Sequence, residues 1–230
     1  MQFLKSYRIR IGCLSLVLLM VCSFLLLPGC GKKYNEVVYD KSSGQYVDGK
    51  SGSSYHALPT QIQPTSIGEQ YAELKMDKTV YALYEIPGLD PLKYLSTLDG
   101  IVMTTEDVAV PELSSLRFDS AYLTTTGDTR ITAGTISDAN YLDALAACLS
   151  SEKRYESPFV AHSAMYILRL TLADYPGLEY TVRYLEYDTD ITAYDISTGE
   201  GTNVGRHLIY DIFAKVCYAS PDLLSMTEAE

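Results

Sequence analysis

Acid–base or metal chemistry in this chain would have to be built around three histidines, His56, His162 and His207, and 29 acidic residues. His207 stands four residues before Asp211, one turn away if the segment is helical. Such a pair is ordinarily a surface interaction worth a few tenths of a kcal/mol. His162 adjoins Ser163, but members of a catalytic triad meet in space and not in sequence. The chain has no H-E-x-x-H, no G-x-S-x-G and no cysteine pair at zinc spacing. Asp188, Asp190 and Asp195 crowd one turn with Glu200 nearby, and a hard cation wants several oxygens. The spacing fails an EF-hand loop, because Ala193 stands where glycine is needed and Gly199 where glutamate is needed. The residue pattern therefore designates no catalytic set, no metal ligands, no cofactor and no defined ligand-binding residues.

One phosphate-binding expression does occur. Gly44-Gln45-Tyr46-Val47-Asp48-Gly49-Lys50-Ser51 fits G-x4-G-K-[ST]. A working loop of this kind joins a buried strand to a helix whose N-terminus faces the phosphates. Here Gly52-Ser53-Ser54 and Pro59 follow, with no apolar helical period. The segment reads instead as a hairpin, 37–39 against 45–47, turning through Lys41-Ser42-Ser43 with Gly44 left-handed. Similar turn chemistry recurs at Asp195-Ile196-Ser197-Thr198-Gly199.

The N-terminus is a different material. Lys5, Arg8 and Arg10 precede an uncharged run, 11–27, which ends in Leu27-Pro28-Gly29-Cys30. This resembles a bacterial lipoprotein signal peptide with its lipobox, in which an aliphatic, a variable and a small residue precede an obligatory cysteine. The resemblance covers about 35 residues. It implies cleavage before Cys30, a diacylglyceryl group on the Cys30 sulfur, and a palmitate-type lipid anchor in the cell membrane on its extracytoplasmic face. Seventeen residues are short of the roughly 20 a membrane-spanning helix needs and suit a segment that is cut off. Two acyl chains suffice for stable anchoring.

Without residues 1–29 the chain is 201 residues long and its charge moves from −11 to −14, since only Lys5, Arg8 and Arg10 are lost. That charge argues against nucleic acid as a partner, which requires a basic face. Residues 30–66, rich in Gly, Ser and Lys, read as the lipidated cysteine and a flexible tether. Lys32 and Lys33 either favour anionic headgroups or are simply solvated. Cys148 and Cys217 either form a disulfide or remain two buried thiols.

The elements that must position any site are expected in residues 67–230. Helices are predicted over 67–76, 92–98, 138–149 and 203–216. The second is capped at Asp90-Pro91 and the third at Ser137 or Asp138. The last has Leu208, Ile209, Ile212, Phe213 and Val216 as its stripe. Strands are predicted over 80–86 and 101–105, and a hairpin over 116–126 and 129–133 turns at Gly127-Asp128. A meander follows over 164–172, 178–186 and 191–196. A three-residue loop at 175–177 would set Leu172 opposite Tyr180 and Leu168 opposite Tyr184, with Arg169, Thr171, Thr181 and Arg183 on the reverse face. The sum is an α+β domain, an antiparallel sheet of hairpins covered by two or three helices.

Tyrosine is abundant, with 20 residues and no tryptophan. Tyr166, Tyr180 and Tyr184 fall on the sheet's core face, while Tyr187 and Tyr194 lie at strand ends. Tyrosine suits both binding surfaces and plain strand propensity. The expectation is a membrane-anchored lipoprotein of the cell envelope, an accessory or binding module for an envelope protein or carbohydrate. The alternative is an extracytoplasmic hydrolase acting on cell-wall or peptide substrates.

Overall fold

The computed structural model describes residues 34–108, 115–126, 131–158 and 160–227. All its regular elements belong to the unit Asn35–Glu230. The lipobox, Lys32, Lys33 and the Gly127-Asp128 turn lie outside the described residues.

The described residues are 51% strand and 8% helical, so the expected α+β class, with two or three helices, gives way to a mostly β architecture with one α-helix. Its first part is a closed barrel. The strands are β1 (Asn35–Asp40), β2 (Gln45–Asp48), β3 (Ser54–Ala57), β5 (Gln70–Met76), β6 (Thr79–Tyr84), β7 (Tyr94–Thr97) and β8 (Val102–Thr105). They run in the order β1-β2-β3-β8-β7-β6-β5, and the parallel pair β1–β5 closes the ring, with Asn35 opposite Ala72 and Val38 opposite Lys75. Val37, Tyr55, Ala72, Leu74, Leu83, Leu95 and Met103 fill the interior. A barrel this small is packed with side chains.

Residues 35–64, assigned to a tether above, are thus ordered strands. The hairpin read within them is present, pairing Val38 with Val47 and Tyr39 with Tyr46, and Gly44 has φ 73°. The phosphate-loop expression runs through β2 into the turn before β3, and no helix follows it.

The second part is a sheet in the order β10-β9-β11-β12-β13-β14. Its strands are β9 (Phe118–Thr125), β10 (Thr132–Ile136), β11 (Ala164–Leu172), β12 (Leu178–Tyr194), β13 (Gly201–Asp211) and β14 (Val216–Ala219). The short β4 (Ile62–Pro64) leaves the barrel and pairs with the start of β12, Ile62 opposite Tyr180. One helix, α1 (Ala139–Leu149), packs on the sheet through Leu142, Leu145 and Leu149. Of the two candidate caps, Ser137 and Asp138, it is the Asp138 carboxylate that caps it, accepting from the Asn140 and Tyr141 amides.

Three of the four predicted helices are corrected, each for a physical reason. Over 67–76 the residues alternate. Ala72 and Leu74 point into the barrel while Tyr71, Glu73 and Lys75 are more exposed. A run this short satisfies both periods. Over 92–98, the capping chemistry of Asp90 is spent on one turn: its carboxylate takes the Leu92 amide and its carbonyl the Tyr94 amide, and β7 starts there. Over 203–216, Leu208 and Ile209 are adjacent and both fully buried because β13 is covered on both faces. Ile209, Val216 and Tyr218 join the main core, while Leu208 and Cys217 join a second core with Tyr155, Leu185, Tyr187 and Ile191. Ile212 and Phe213 are exposed at the turn. Burial on both faces mimics the doublets of a helical stripe.

The β11–β12 hairpin is real, but its register differs by two residues. Leu170 faces Tyr180, Leu168 faces Val182 and Tyr166 faces Tyr184. An even shift leaves every side chain on its predicted face. Gly177 has φ 97°, and a Cβ there would stand 2.5 Å from the Pro87 carbonyl oxygen. Pro87-Gly88 of the barrel thus meets Pro176-Gly177 of the sheet at a contact only glycine allows.

Candidate functional site

Among the described residues, the ionisable groups converge at Glu186, His207 and Asp222, near the junction of β12, β13 and the segment after β14. One ring nitrogen of His207 and one carboxylate oxygen from each acid lie within 4.8 Å of one another. Strand pairing sets Glu186 directly opposite His207. Asp222 arrives from the C-terminal segment, whose 3-10 turn Leu224–Met226 follows, and Leu223 beside it is fully buried. Glu186 and His207 are half-buried and Asp222 is exposed, so the cluster sits at the surface.

Tyr184 holds the imidazole. Its hydroxyl lies 2.7 Å from His207 Nδ1, and the two rings stack with centroids 5.8 Å apart and planes 4° apart. The same hydroxyl accepts the Leu223 amide at 3.0 Å. Burial pushes the Tyr184 phenol well above its usual range; the Leu223 hydrogen bond opposes this, and the Glu186 and Asp222 carboxylates add to it. The phenol is therefore neutral at physiological pH. It occupies Nδ1 and leaves Nε2 to meet a ligand.

Sequence reasoning had paired His207 with Asp211, on a helix that is a strand. Asp211 is instead a buried hub. It accepts from the Tyr180 hydroxyl at 2.8 Å, the Gln61 amide at 3.3 Å and the backbone of Phe213 and Ala214. His56 lies on β3 opposite Thr104. His162 is exposed, and both the backbone N–H and the hydroxyl of Ser163 are directed at the Glu186 carbonyl, at 2.7 and 3.0 Å. No nucleophile–base arrangement forms between them. Asp190 pairs with Arg206 and Asn203, while Asp195 caps its own turn by accepting from Ser197 and Thr198. Asp188, Asp190 and Asp195 therefore do not converge on one cation. The two thiols are free. Cys148 faces the main core from α1 and donates to the Ala219 carbonyl at 2.9 Å, whereas Cys217 lies on the other face of β14.

A second polar cluster lies on the reverse face of the sheet. Arg169 pairs with Glu179, side chains 8% and 2% exposed, and the Tyr122 hydroxyl donates to Glu179. Removing one partner of such a pair strands a buried charge, at a cost of about 3–5 kcal/mol. It ties β9, β11 and β12 together, away from solvent, and so is structural. Sequence placed Arg169 on this face but gave no partner for it.

Comparison with protein-family models, curated proteins and solved structures finds no match to the chain. Among the described residues no helix is long and apolar enough to cross a membrane.

Proposed function

We propose that the chain is a lipid-anchored lipoprotein of the cell envelope, held by diacylglyceryl-Cys30 on the extracytoplasmic face. Its β unit acts as an accessory or binding module for an envelope protein or carbohydrate. Leu27-Pro28-Gly29-Cys30 supports the anchor. The observation that bears most on how it works is that β1 begins at Asn35, five residues after Cys30. A flexible segment of 30–66 would have reached roughly 30–36 Å. Five extended residues span at most about 17 Å. A link of few residues limits how far an anchored module can reach for a partner.

Acyl labelling in cells together with cross-linking tests both halves. Wild type should carry label and yield a specific envelope partner, and Cys30→Ala should lose both. Label that persists in Cys30→Ala overturns the anchor, and a cross-link yield of only abundant neighbours overturns the binding role. The hydrolase reading is favoured by one observation, the convergence of two carboxylates on His207. Turnover of cell-wall fragments or peptides that is lost in Glu186→Gln would establish it in place of the binding role.

A further inference from the structure

We infer that Glu186, His207 and Asp222 form a binding site for a divalent transition-metal cation of the zinc type, open at one coordination position. Two independent features carry this. The donor atoms come from three separate stretches of chain and still lie within 4.8 Å of one another. The imidazole is oriented beforehand: Tyr184 holds Nδ1, and the Leu223 amide in turn holds Tyr184. Metal-binding histidines are regularly fixed through their other ring nitrogen in this way.

The donor set selects the cation. One imidazole and two carboxylates suit zinc and its neighbours, while calcium takes six to eight oxygens and magnesium keeps most of its water. Around a tetrahedral zinc, ligand atoms stand about 3.4 Å apart, given bonds of about 2.0–2.2 Å. The present spread of up to 4.8 Å needs a contraction of up to about 1.4 Å, to which rotation of the exposed Asp222 side chain contributes. With the cation on Nε2, the ring proton sits on Nδ1 and is donated to the Tyr184 oxygen. Three protein ligands leave a fourth position for water or for a donor atom of a partner. The site stands on its own geometry and does not depend on the anchor or on the identity of any partner.

The test is titration of the purified full chain, from whichever fraction carries it, with Zn2+ by calorimetry and with Co2+ by absorption. One equivalent should bind saturably. The Co2+ spectrum should lack a thiolate charge-transfer band, which excludes Cys30, Cys148 and Cys217 as ligands. Asp222→Asn changes only an exposed side chain and preserves the fold, and should weaken binding at least about tenfold. Tyr184→Phe should weaken it by about 10–100-fold at unchanged stoichiometry, as loss of a ligand-orienting partner does. The absence of saturable binding, a thiolate band, or full affinity in Asp222→Asn overturns the proposal.

Discussion

At the scale of single residues, burial decides which groups can react. Burial pushes the Cys148 thiol up to about 11 and the Cys217 thiol up to about 12, the latter opposed by a Ser157 hydrogen bond. Tyr55 and Tyr187 are likewise raised to about 12, chiefly by burial. The sign follows from linkage. Each group is neutral in the folded chain over a range where it ionises in the unfolded one. The stability this contributes is fully present below the unfolded values of about 9–10 and is lost as pH rises through 11–12. The thermal midpoint, followed by circular dichroism, should therefore be level near neutrality and fall steeply from pH 9 upward. A flat profile to pH 11 would mean these side chains are not buried as described. Residue chemistry was partly legible beforehand. The turn at Asp40 and the one at Asp195 both show the same device, a carboxylate accepting from the residues two and three ahead, with Gly44 or Gly199 left-handed after it. Such contacts are local, so spacing reveals them. The partners of His207 lie 21 residues before it, at Glu186, and 15 after it, at Asp222, and no local period links them.

At the scale of elements, the strands over 80–86, 101–105 and 164–186 and the helix at Asp138 were readable from alternation and capping. The lost helices have separate causes. At 203–216 a strand covered on both faces buries neighbours in the doublets of a helical stripe, at 67–76 an alternating run is too short to separate the two periods, and at 92–98 the cap of Asp90 serves a single turn. Hairpin register was wrong by two because loop length depends on what the loop packs against. Gly177 and Pro176 meet Pro87 and Gly88, from a segment about 90 residues earlier. Gly177→Ala should therefore be costly on two counts, a left-handed φ and the clash with the Pro87 oxygen. We expect about 1–3 kcal/mol in denaturant unfolding. A loss below about 0.5 kcal/mol would show that the two proline–glycine turns do not hold each other.

At the scale of the molecule, the barrel and the sheet share a core. Leu58, Ile62, Ile86, Tyr94 and Val102 pack with Leu168, Leu170, Tyr184 and the α1 leucines. Residues 35–66 are integral to this, since β1–β3 close the barrel and β4 extends the sheet. Deleting them, harmless for a tether, should abolish cooperative unfolding of the whole unit, as read by near-ultraviolet circular dichroism and proteolysis. Survival of a cooperative transition in the truncated chain would restore the tether. The sequence by itself determined the charge balance, the signal-peptide resemblance ending at Cys30, the turn and cap chemistry and the faces taken by the alternating residues of 166–172 and 178–184, because these depend on composition and on neighbours a few residues apart. Only the tertiary structure decided that β1–β3 close a barrel and β4 joins the sheet, that His207 meets Glu186, Asp222 and Tyr184, and that the described residues are mostly strand. Strand pairing and barrel closure join segments tens of residues apart, and the energy that selects them comes from the faces they bury together.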